Sequence, residues 1–142
     1  MKILVAVDGS PQSLGAVAAL ADRAAWFREA PQVTLLHSHL PIPYKAAAAW
    51  AGHEAVAKYY AEESDAALAD AVKLLGARGI AFVVEKCVGD PAEEIVRHAA
   101  AGNFDLIAMG THGHTALASL VMGSVATKVL ARSKVPVMFM KA

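Results

Sequence analysis

The segment from Gly110 to Ser124 contains the residues best suited to bind a phosphate group. Gly110, Gly113 and Gly123 would let backbone N–H groups approach a phosphate without hindrance from a Cβ atom, and Ser124 adds a hydroxyl. The helical pattern that begins at Val125 would add unpaired amides and the positive end of a helix dipole. Such a site needs no lysine, so the segment indicates anion binding through the main chain.

Two common phosphate motifs do not occur in this segment. No Gly-Lys-Ser/Thr sequence closes it, as in a Walker A loop, and Gly110 and Gly113 do not form the Gly-x-Gly-x-x-Gly fingerprint of dinucleotide-binding proteins. A pair of tight turns would also account for the glycines. The residues alone therefore leave phosphate binding and a purely structural loop as open alternatives.

Short apolar runs along the chain predict the strands that must position this segment. The first and fourth runs are almost continuously apolar, which is typical of strands covered on both faces by helices. Helix-like stretches alternate with the runs and favour βαβ crossovers. We therefore predict an α/β fold, a single doubly wound five-stranded parallel sheet flanked by helices, in one domain of residues 1–142. The five runs are Ile3–Val7, Val33–His37, Ala81–Val88, Asp105–Met109 and Val135–Met140.

The predicted helices carry recognisable start and stop signals. Ser10-Pro11 and Asp90-Pro91 each offer an N-cap followed by proline at the first helical position, and Glu93 could complete a capping box. Gly102-Asn103 would end the second of these helices. An alanine-rich stretch predicts one long helix from about Ala55 to Gly76 or Gly79, after a loop at 41–44.

Composition excludes several classes of protein. Of 142 residues, 56% are hydrophobic and 18% charged, which is not the composition of a disordered chain. Thirteen Lys and Arg balance thirteen Asp and Glu, so we expect no nucleic-acid or membrane partner held by overall charge. Cys87 is the single cysteine, and we expect a buried thiol rather than a disulfide or a Cys-x-x-Cys site. No apolar run could span a bilayer or form a signal-peptide core, and we therefore expect a cytoplasmic protein.

The glycine segment also resembles a known family. Gly110-x2-Gly113-x9-Gly123-Ser124 is similar to the nucleotide-binding motif of the universal stress protein family, in its ATP-binding branch. The resemblance extends over the chain, through segments 3–10, 35–38, 89–91 and 136–140. It implies an adenine nucleotide α-hydrolase-like fold, a homodimer, and ATP bound at the carboxyl ends of the strands. AMP or ADP could replace ATP, and Mg²⁺ or Mn²⁺ would be carried by the nucleotide.

Carried over by position, the resemblance implies a set of nucleotide-binding residues. Asp8 would contact the nucleoside and the backbone of Ser38 the adenine edge, while the glycine segment would hold the phosphates. His112 and His114 stand where relatives often have lysine or arginine; they could contribute partial charge or remain solvated loop residues. The full set is Ala6, Val7, Asp8, Ser38, Met109, Gly110, His112, Gly113, His114, Gly123, Ser124 and Val125.

Three functions remain as hypotheses at this point. The leading one is a stress-response protein that acts as a nucleotide-dependent dimeric switch, paired through Val135–Met140, an expected apolar edge strand. The alternatives are a nucleotide-free dimerisation scaffold and a slow ATP hydrolase, although no dedicated catalytic base is evident. An adenylating enzyme of a related fold would carry Ser-Gly-Gly-x-Asp-Ser after the first strand, where this chain has Asp8-Gly9-Ser10-Pro11-Gln12-Ser13.

Other patterns receive a structural interpretation. His37 and His39 lie at strand spacing, which could make a metal pair but is more typical of ordinary half-buried histidines. His53-Glu54 lacks the second histidine of a His-Glu-x-x-His zinc motif. We expect the aromatic residues Trp50, Tyr59 and Tyr60 to pack the long helix rather than to cap the pocket.

Overall fold

The computed structural model describes residues 1–111 and 122–140, with side chains for all of these except 44–51. Strands and helices alternate along this part of the chain. The strands are β1 (Lys2–Ala6), β2 (Gln32–His39), β3 (Phe82–Val88), β4 (Leu106–Gly110) and β5 (Val137–Met140). The helices are α1 (Pro11–Asp22), α2 (Tyr44–Ala77), α3 (Pro91–Ala101) and α4 (Ser124–Arg132), with a short 3₁₀ turn at Ala24–Trp26.

The described strands form one parallel sheet in the order β3-β2-β1-β4-β5. β1 and β4 lie at the centre, with Val5 opposite Leu35 on one side and Ala108 on the other. The direction in which successive strands are added reverses between β1 and β4. From β1 the chain continues to β2 and β3 on one side, and from β4 it continues to β5 on the other side. The predicted five-stranded parallel α/β fold is confirmed.

Helices cover both faces of the sheet, which explains why the central strands are apolar throughout. Ile3 and Val5 pack toward α1 and α2, whereas Leu4 packs toward α3 and α4. All three are fully buried. Full burial of a side chain of this size contributes about 1.5–3 kcal/mol. The buried residues of β4, which precede Gly110, pack in the same two layers, so the core fixes both β1 and β4.

The predicted helix caps of α1 and α3 are confirmed. The Ser10 hydroxyl accepts a hydrogen bond from the Ser13 amide, and Asp90 accepts from the amides of Ala92 and Glu93. Asn103, just after α3, has the left-handed φ of 51° expected of a helix stop. The capping-box role of Glu93 is wrong, because its carboxylate instead accepts a hydrogen bond from Arg132 of α4 at 3.2 Å.

The long helix predicted from about Ala55 is present, but a helical arm that the sequence did not predict precedes it. The helical range α2 begins at Tyr44, directly after Pro43, and the loop before it comprises 40–43. Gly52 has φ 78° and ψ 161°, so the helix is broken there into two arms. Alanines 46–49 favour helix in the first arm, and glycine tolerates the positive φ at the break. Strand boundaries differ from prediction by two residues or fewer; the extension of β2 to His39 places Ser38 inside the strand.

Candidate functional site

A pocket of about 300 Å³ opens at the carboxyl ends of the strands. It lies where the strand order reverses between β1 and β4, the position at which open α/β sheets bind their ligands. Its lining comes from the ends of β1, β2 and β4 and from the first turns of α1, α3 and α4. The lining residues are Ala6, Val7, Asp8, Ser13, Leu36, Ser38, Leu40, Pro91, Ile95, Met109, Gly110, Gly123, Ser124, Val125 and Ala126.

Most of the residues singled out in the sequence meet in this pocket. Nine of them line it: Ala6, Val7, Asp8, Ser38, Met109, Gly110, Gly123, Ser124 and Val125. They come from segments far apart in the chain, and the sheet brings them together. The remaining three, His112, Gly113 and His114, lie outside the described residues.

Asp8 is held in place by the turn that leads from β1 into α1. Its Oδ1 accepts hydrogen bonds from the Ser10 amide at 3.0 Å and the Ser10 hydroxyl at 2.6 Å. Gly9 between them has φ 78°, and a Cβ atom there would lie 3.0 Å from the Cα of Ala67 in α2. The turn therefore requires glycine at this position, and it fixes the Asp8 carboxylate at the wall of the pocket.

Three helices begin at the pocket, and they differ in how their first amides are satisfied. In α1 and α3 a side chain, Ser10 or Asp90, caps the helix, and proline occupies the first turn. α4 has neither feature: its N-cap is Gly123, which has no side chain to cap it, and its first residue is Ser124 rather than proline. The first amides of a helix have no partner within the helix. The first three residues of α4 are Ser124, Val125 and Ala126, and all three line the pocket. Within the described ranges 1–111 and 122–140, no side-chain cap is recorded for their amides.

Backbone contacts hold the amino end of α4 against β4. The Gly123 amide donates to the carbonyl of Thr111 at 2.8 Å, directly after the last residue of β4. The Thr127 hydroxyl donates to the Gly123 carbonyl at 3.0 Å. These bonds fix the direction of α4, whose dipole places partial positive charge at Ser124.

Charged groups around the pocket are few. Among the described lining residues, Asp8 is the one with an ionisable side chain. Nearby, Lys128 of α4 donates to Asp90 at 3.4 Å. The hydrogen bond from the Glu93 amide, followed by the Lys128 interaction, holds the pKa of Asp90 below its ordinary value. The other lining residues are uncharged: three serines, Ser13, Ser38 and Ser124, and residues that are mostly apolar, such as Leu36 and Met109.

Ser38 takes part in closing the end of the sheet. Its hydroxyl donates to the Gly89 carbonyl at 3.1 Å, and the Gly89 amide donates to the His39 carbonyl at 2.9 Å. The side chain of Ser38 is thus occupied by the β3–α3 turn. The hydroxyl oxygen can still accept a hydrogen bond, and the contact of the Ser38 backbone with an adenine edge stays a prediction.

Six of the lining residues are not among those predicted from the sequence: Ser13, Leu36, Leu40, Pro91, Ile95 and Ala126. Leu36 and Leu40 alternate with Ser38 along the chain, so strand periodicity could have placed them on the same face. Ile95 lies on the buried face of α3, and helical periodicity alone does not show that this face reaches a pocket.

The two histidines of β2 lie on the sheet face opposite Ser38. His37 Nδ1 lies 2.8 Å from the Val7 carbonyl oxygen, and His39 Nδ1 lies 2.6 Å from that of Leu40. His39 packs edge-on against Tyr59 and Tyr60, with ring centroids 5.6 and 5.0 Å away. These contacts agree with the interpretation of ordinary packed histidines and packing tyrosines, although His37 is buried and only His39 is half-buried. The side chain of Trp50 lies outside the described part of the chain.

Comparisons with known proteins agree with this architecture. A family model described as "Universal stress protein family" matches residues 1–141. The "Universal stress protein in QAH/OAS sulfhydrylase 3'region" of Thermus aquaticus is 34% identical over 140 residues, covering 98% of this chain and 97% of that protein.

None of the helices in the described residues is long and apolar enough to cross a membrane.

Solved structures share the fold. The structure of the hypothetical protein MJ0577, from Methanocaldococcus jannaschii, has a TM-score of 0.76 at 30% identity, covering 99% of this chain and 95% of that one. A universal stress protein in complex with cAMP has a TM-score of 0.67 at 25% identity, covering 99% of this chain and 95% of that one. These neighbours have the adenine nucleotide α-hydrolase-like fold. Because the family match and the Thermus relative both extend over nearly the whole chain, this protein belongs to the universal stress protein family.

Proposed function

We propose that this protein binds an adenine nucleotide, ATP or its mono- or diphosphate, in the pocket at the carboxyl ends of β1 and β4. The nucleotide would act as a ligand that biases a homodimer between states, rather than as a substrate. The observation that carries the proposal is the amino end of α4: its N-cap is a glycine without a capping side chain, unlike the caps of α1 and α3, and its first residues line the pocket.

The amino end of α4 supports the phosphate half of the proposal. Unpaired amides and a helix dipole equivalent to roughly half a positive charge form an anion site without lysine. α4 has nine residues, enough to carry such a dipole. α1 and α3 are poor competitors for the phosphates, because Ser10 and Asp90 already occupy their amides. We therefore assign the phosphates to Gly123, Ser124 and Val125, together with Gly110 and the glycine segment after it.

The other wall of the pocket supports the nucleoside half. A carboxylate accepts hydrogen bonds from ribose hydroxyls, and Asp8 is held at this wall by Ser10. The side chains of Leu36, Leu40 and Met109 offer apolar surface to an adenine ring. A cavity of about 300 Å³ lies at the lower end of the sizes of small-molecule sites. The similar universal stress protein in complex with cAMP lends further support.

The small number of charged groups at the pocket supports a nucleotide that is bound as a ligand and is not hydrolysed as a substrate. Hydrolysis of a triphosphate needs a group that positions water and groups that stabilise charge on the γ-phosphate. Among the described lining residues Asp8 alone could act as an acid or base, and Ser10 holds it toward the expected ribose. A divalent cation would arrive with the triphosphate, since Mg²⁺ is commonly held by phosphates with few protein ligands.

Calorimetric titration with adenosine, AMP, ADP and ATP tests the proposal. We expect one ligand per chain and tighter binding of AMP, ADP and ATP than of adenosine, because only the nucleotides reach the amides of α4. Product analysis runs in parallel. The absence of binding by all four ligands would favour the nucleotide-free scaffold, and steady conversion of ATP to ADP and phosphate would favour the hydrolase. Either result contradicts the proposal.

The edge of the sheet supports the dimer. β5 lies at one end of the strand order, and its outer edge pairs with no strand in the described part of the chain. Val137, Met138 and Phe139 on it are only partly buried. An apolar edge strand tends to pair with another chain. Pairing of two β5 strands across a two-fold axis would cover both copies in one isologous contact.

We expect sedimentation velocity to show a dimer across the micromolar range. ATP should shift the sedimentation coefficient or the dimer dissociation constant, since a ligand acts as a switch only through different affinities for two states. A monomer at all micromolar concentrations would contradict pairing through β5. A dimer unaffected by saturating ATP would contradict the switch alone.

A further inference from the structure

A cluster of metal-binding side chains lies between β3 and α3, and none of its members lines the nucleotide pocket. Cys87, Glu94 and His98 each offer a ligand atom, and these atoms all lie within 4.8 Å of one another. Glu85 adjoins them, with its Oε2 3.9 Å from His98 Nε2. The four side chains share the space between one strand and one helix.

The two elements place these side chains by their own periodicity. Glu85 and Cys87 are two residues apart on β3 and therefore face the same side of the sheet. Glu94 and His98 are four residues apart on α3 and therefore face the same side of the helix. A Cβ atom at Gly89 would lie 2.7 Å from the Glu94 Cγ, so glycine in the connecting turn leaves the space that the Glu94 side chain occupies.

His98 is oriented as metal-binding histidines commonly are. Its Nδ1 lies 2.8 Å from the Glu94 carbonyl oxygen. Because a carbonyl oxygen can only accept, Nδ1 carries the proton and Nε2 carries the lone pair. Donation of the second ring N–H to a backbone carbonyl fixes the tautomer and ring direction of a metal ligand. The lone-pair nitrogen is the one near Glu85.

Cys87 supplies the ligand that discriminates among metals. It is half-buried rather than buried as the sequence predicts, and its Sγ lies 3.7 Å from the His37 carbonyl oxygen. Burial raises the pKa of the thiol. A metal ion replaces the thiol proton when it binds. Thiolate and imidazole ligands favour Zn²⁺ over Mg²⁺ or Ca²⁺, which bind oxygen.

We propose that Cys87, Glu94 and His98 bind a Zn²⁺ ion, with Glu85 as the fourth ligand. Zn–S and Zn–N/O bonds of about 2.3 and 2.0–2.1 Å give tetrahedral ligand separations of roughly 3.3–3.7 Å. The ligand atoms of Cys87, Glu94 and His98, which lie within 4.8 Å of one another, thus need side-chain movements of about an ångström. Glu85 is 3.9 Å from His98 Nε2 but outside that group of three, so its side chain must move further toward Cys87 and Glu94. Arg97, which pairs with Glu94, must release it; its side chain is 60% exposed and can turn to solvent. The metal would tie the edge strand β3 to α3.

Cobalt substitution in the full chain tests this site without any nucleotide. Co²⁺ bound to a thiolate has a sulfur-to-metal charge-transfer absorption that oxygen and nitrogen ligands do not give. Because Cys87 is the single cysteine, that band reports on this site alone. We expect one Co²⁺ per chain with the band, loss of the band in Cys87→Ser, and displacement by Zn²⁺. Co²⁺ binding without the band, or no binding, would overturn the proposal.

Adjacent carboxylates on α3 provide a matched control. Glu94→Gln should weaken Zn²⁺ binding by about tenfold or more, the lower range for loss of a supporting group at a metal site. Glu93→Gln should leave the affinity unchanged, since that carboxylate pairs with Arg132. Zn²⁺ should also raise the melting temperature of the wild-type chain and not that of Cys87→Ser. Equal Zn²⁺ affinities for the two glutamine variants would refute the ligand set even if both fold normally. None of these readouts depends on the nucleotide proposal.

Discussion

Replacing Ser124 by proline is expected to lower the affinity for ATP by at least about tenfold while leaving the affinity for adenosine unchanged. Ser124 is the first residue of α4, and its amide is one of the proposed phosphate donors. Proline has no N–H, so the variant loses that donor. A hydrogen bond to a charged group contributes roughly 1.5–3 kcal/mol, and about 1.4 kcal/mol corresponds to a tenfold change in affinity.

The backbone at this position accepts proline without strain. Gly123 has φ −59° and ψ 155°, the extended conformation that a residue before proline prefers. Proline is favoured at the first position of a helix, where its N–H would have no helical partner. Pro11 and Pro91 already stand near the start of α1 and α3. The melting temperature of the unliganded variant should therefore equal or exceed that of the wild type.

Ser124→Ala separates the backbone from the hydroxyl. Alanine retains the N–H and removes only Oγ, so it should weaken ATP binding less than proline does. Calorimetry of both variants with ATP and adenosine gives the comparison. Unchanged ATP affinity in a folded Ser124→Pro chain would remove the main support for phosphate binding at α4. Equal loss of ATP and adenosine would indicate a distorted pocket instead.

The sequence predicts the fold well because the signals involved are local. Runs such as Ile3–Val7 and Asp105–Met109 are buried on both faces, and Ser10 and Asp90 cap their helices through residues two or three positions away. Errors occur where a distant contact decides. Glu93 could reach its own helix start, but Arg132 of α4 lies close enough to take its carboxylate. The break at Gly52 likewise depends on a backbone angle that composition does not reveal.

The candidate site could be predicted only in part. Strand ends and the glycine segment indicate where phosphates would bind, and the family resemblance supplied residues such as Asp8 and Ser38. Periodicity pairs Glu85 with Cys87 and Glu94 with His98, but it does not show that the two pairs face each other. That juxtaposition depends on the packing of α3 against the sheet. The contrast between the capped and uncapped helices also needs coordinates, because Gly123 could have been capped by a distant side chain.

Asp8→Asn is the complementary change, and it should lower the affinities for adenosine, AMP and ATP by the same factor, about tenfold. The proposed partner of Asp8 is the ribose, which all three ligands share. Asparagine retains an oxygen that can accept from the Ser10 amide and hydroxyl, so the turn before α1 is preserved. The asparagine side chain lacks the negative charge of aspartate, and its NH₂ group, a hydrogen-bond donor, replaces one of the two acceptor oxygens. Hydrogen bonds to a charged acceptor are roughly twice as strong as those between neutral groups.

Asp90→Asn is the matched control, since it makes the same replacement at the cap of α3. Asparagine is as good an N-cap as aspartate, so α3 should keep its amino end. Asp90 does not line the pocket, and adenosine affinity should be unchanged. Loss of ATP but not adenosine affinity in Asp8→Asn would place Asp8 near the phosphates and contradict the ribose assignment. If Asp8→Asn lowers the affinities for adenosine, AMP and ATP equally, the ribose is assigned to the end of β1. If Ser124→Pro lowers the affinity for ATP but not for adenosine, the phosphates are assigned independently to the start of α4.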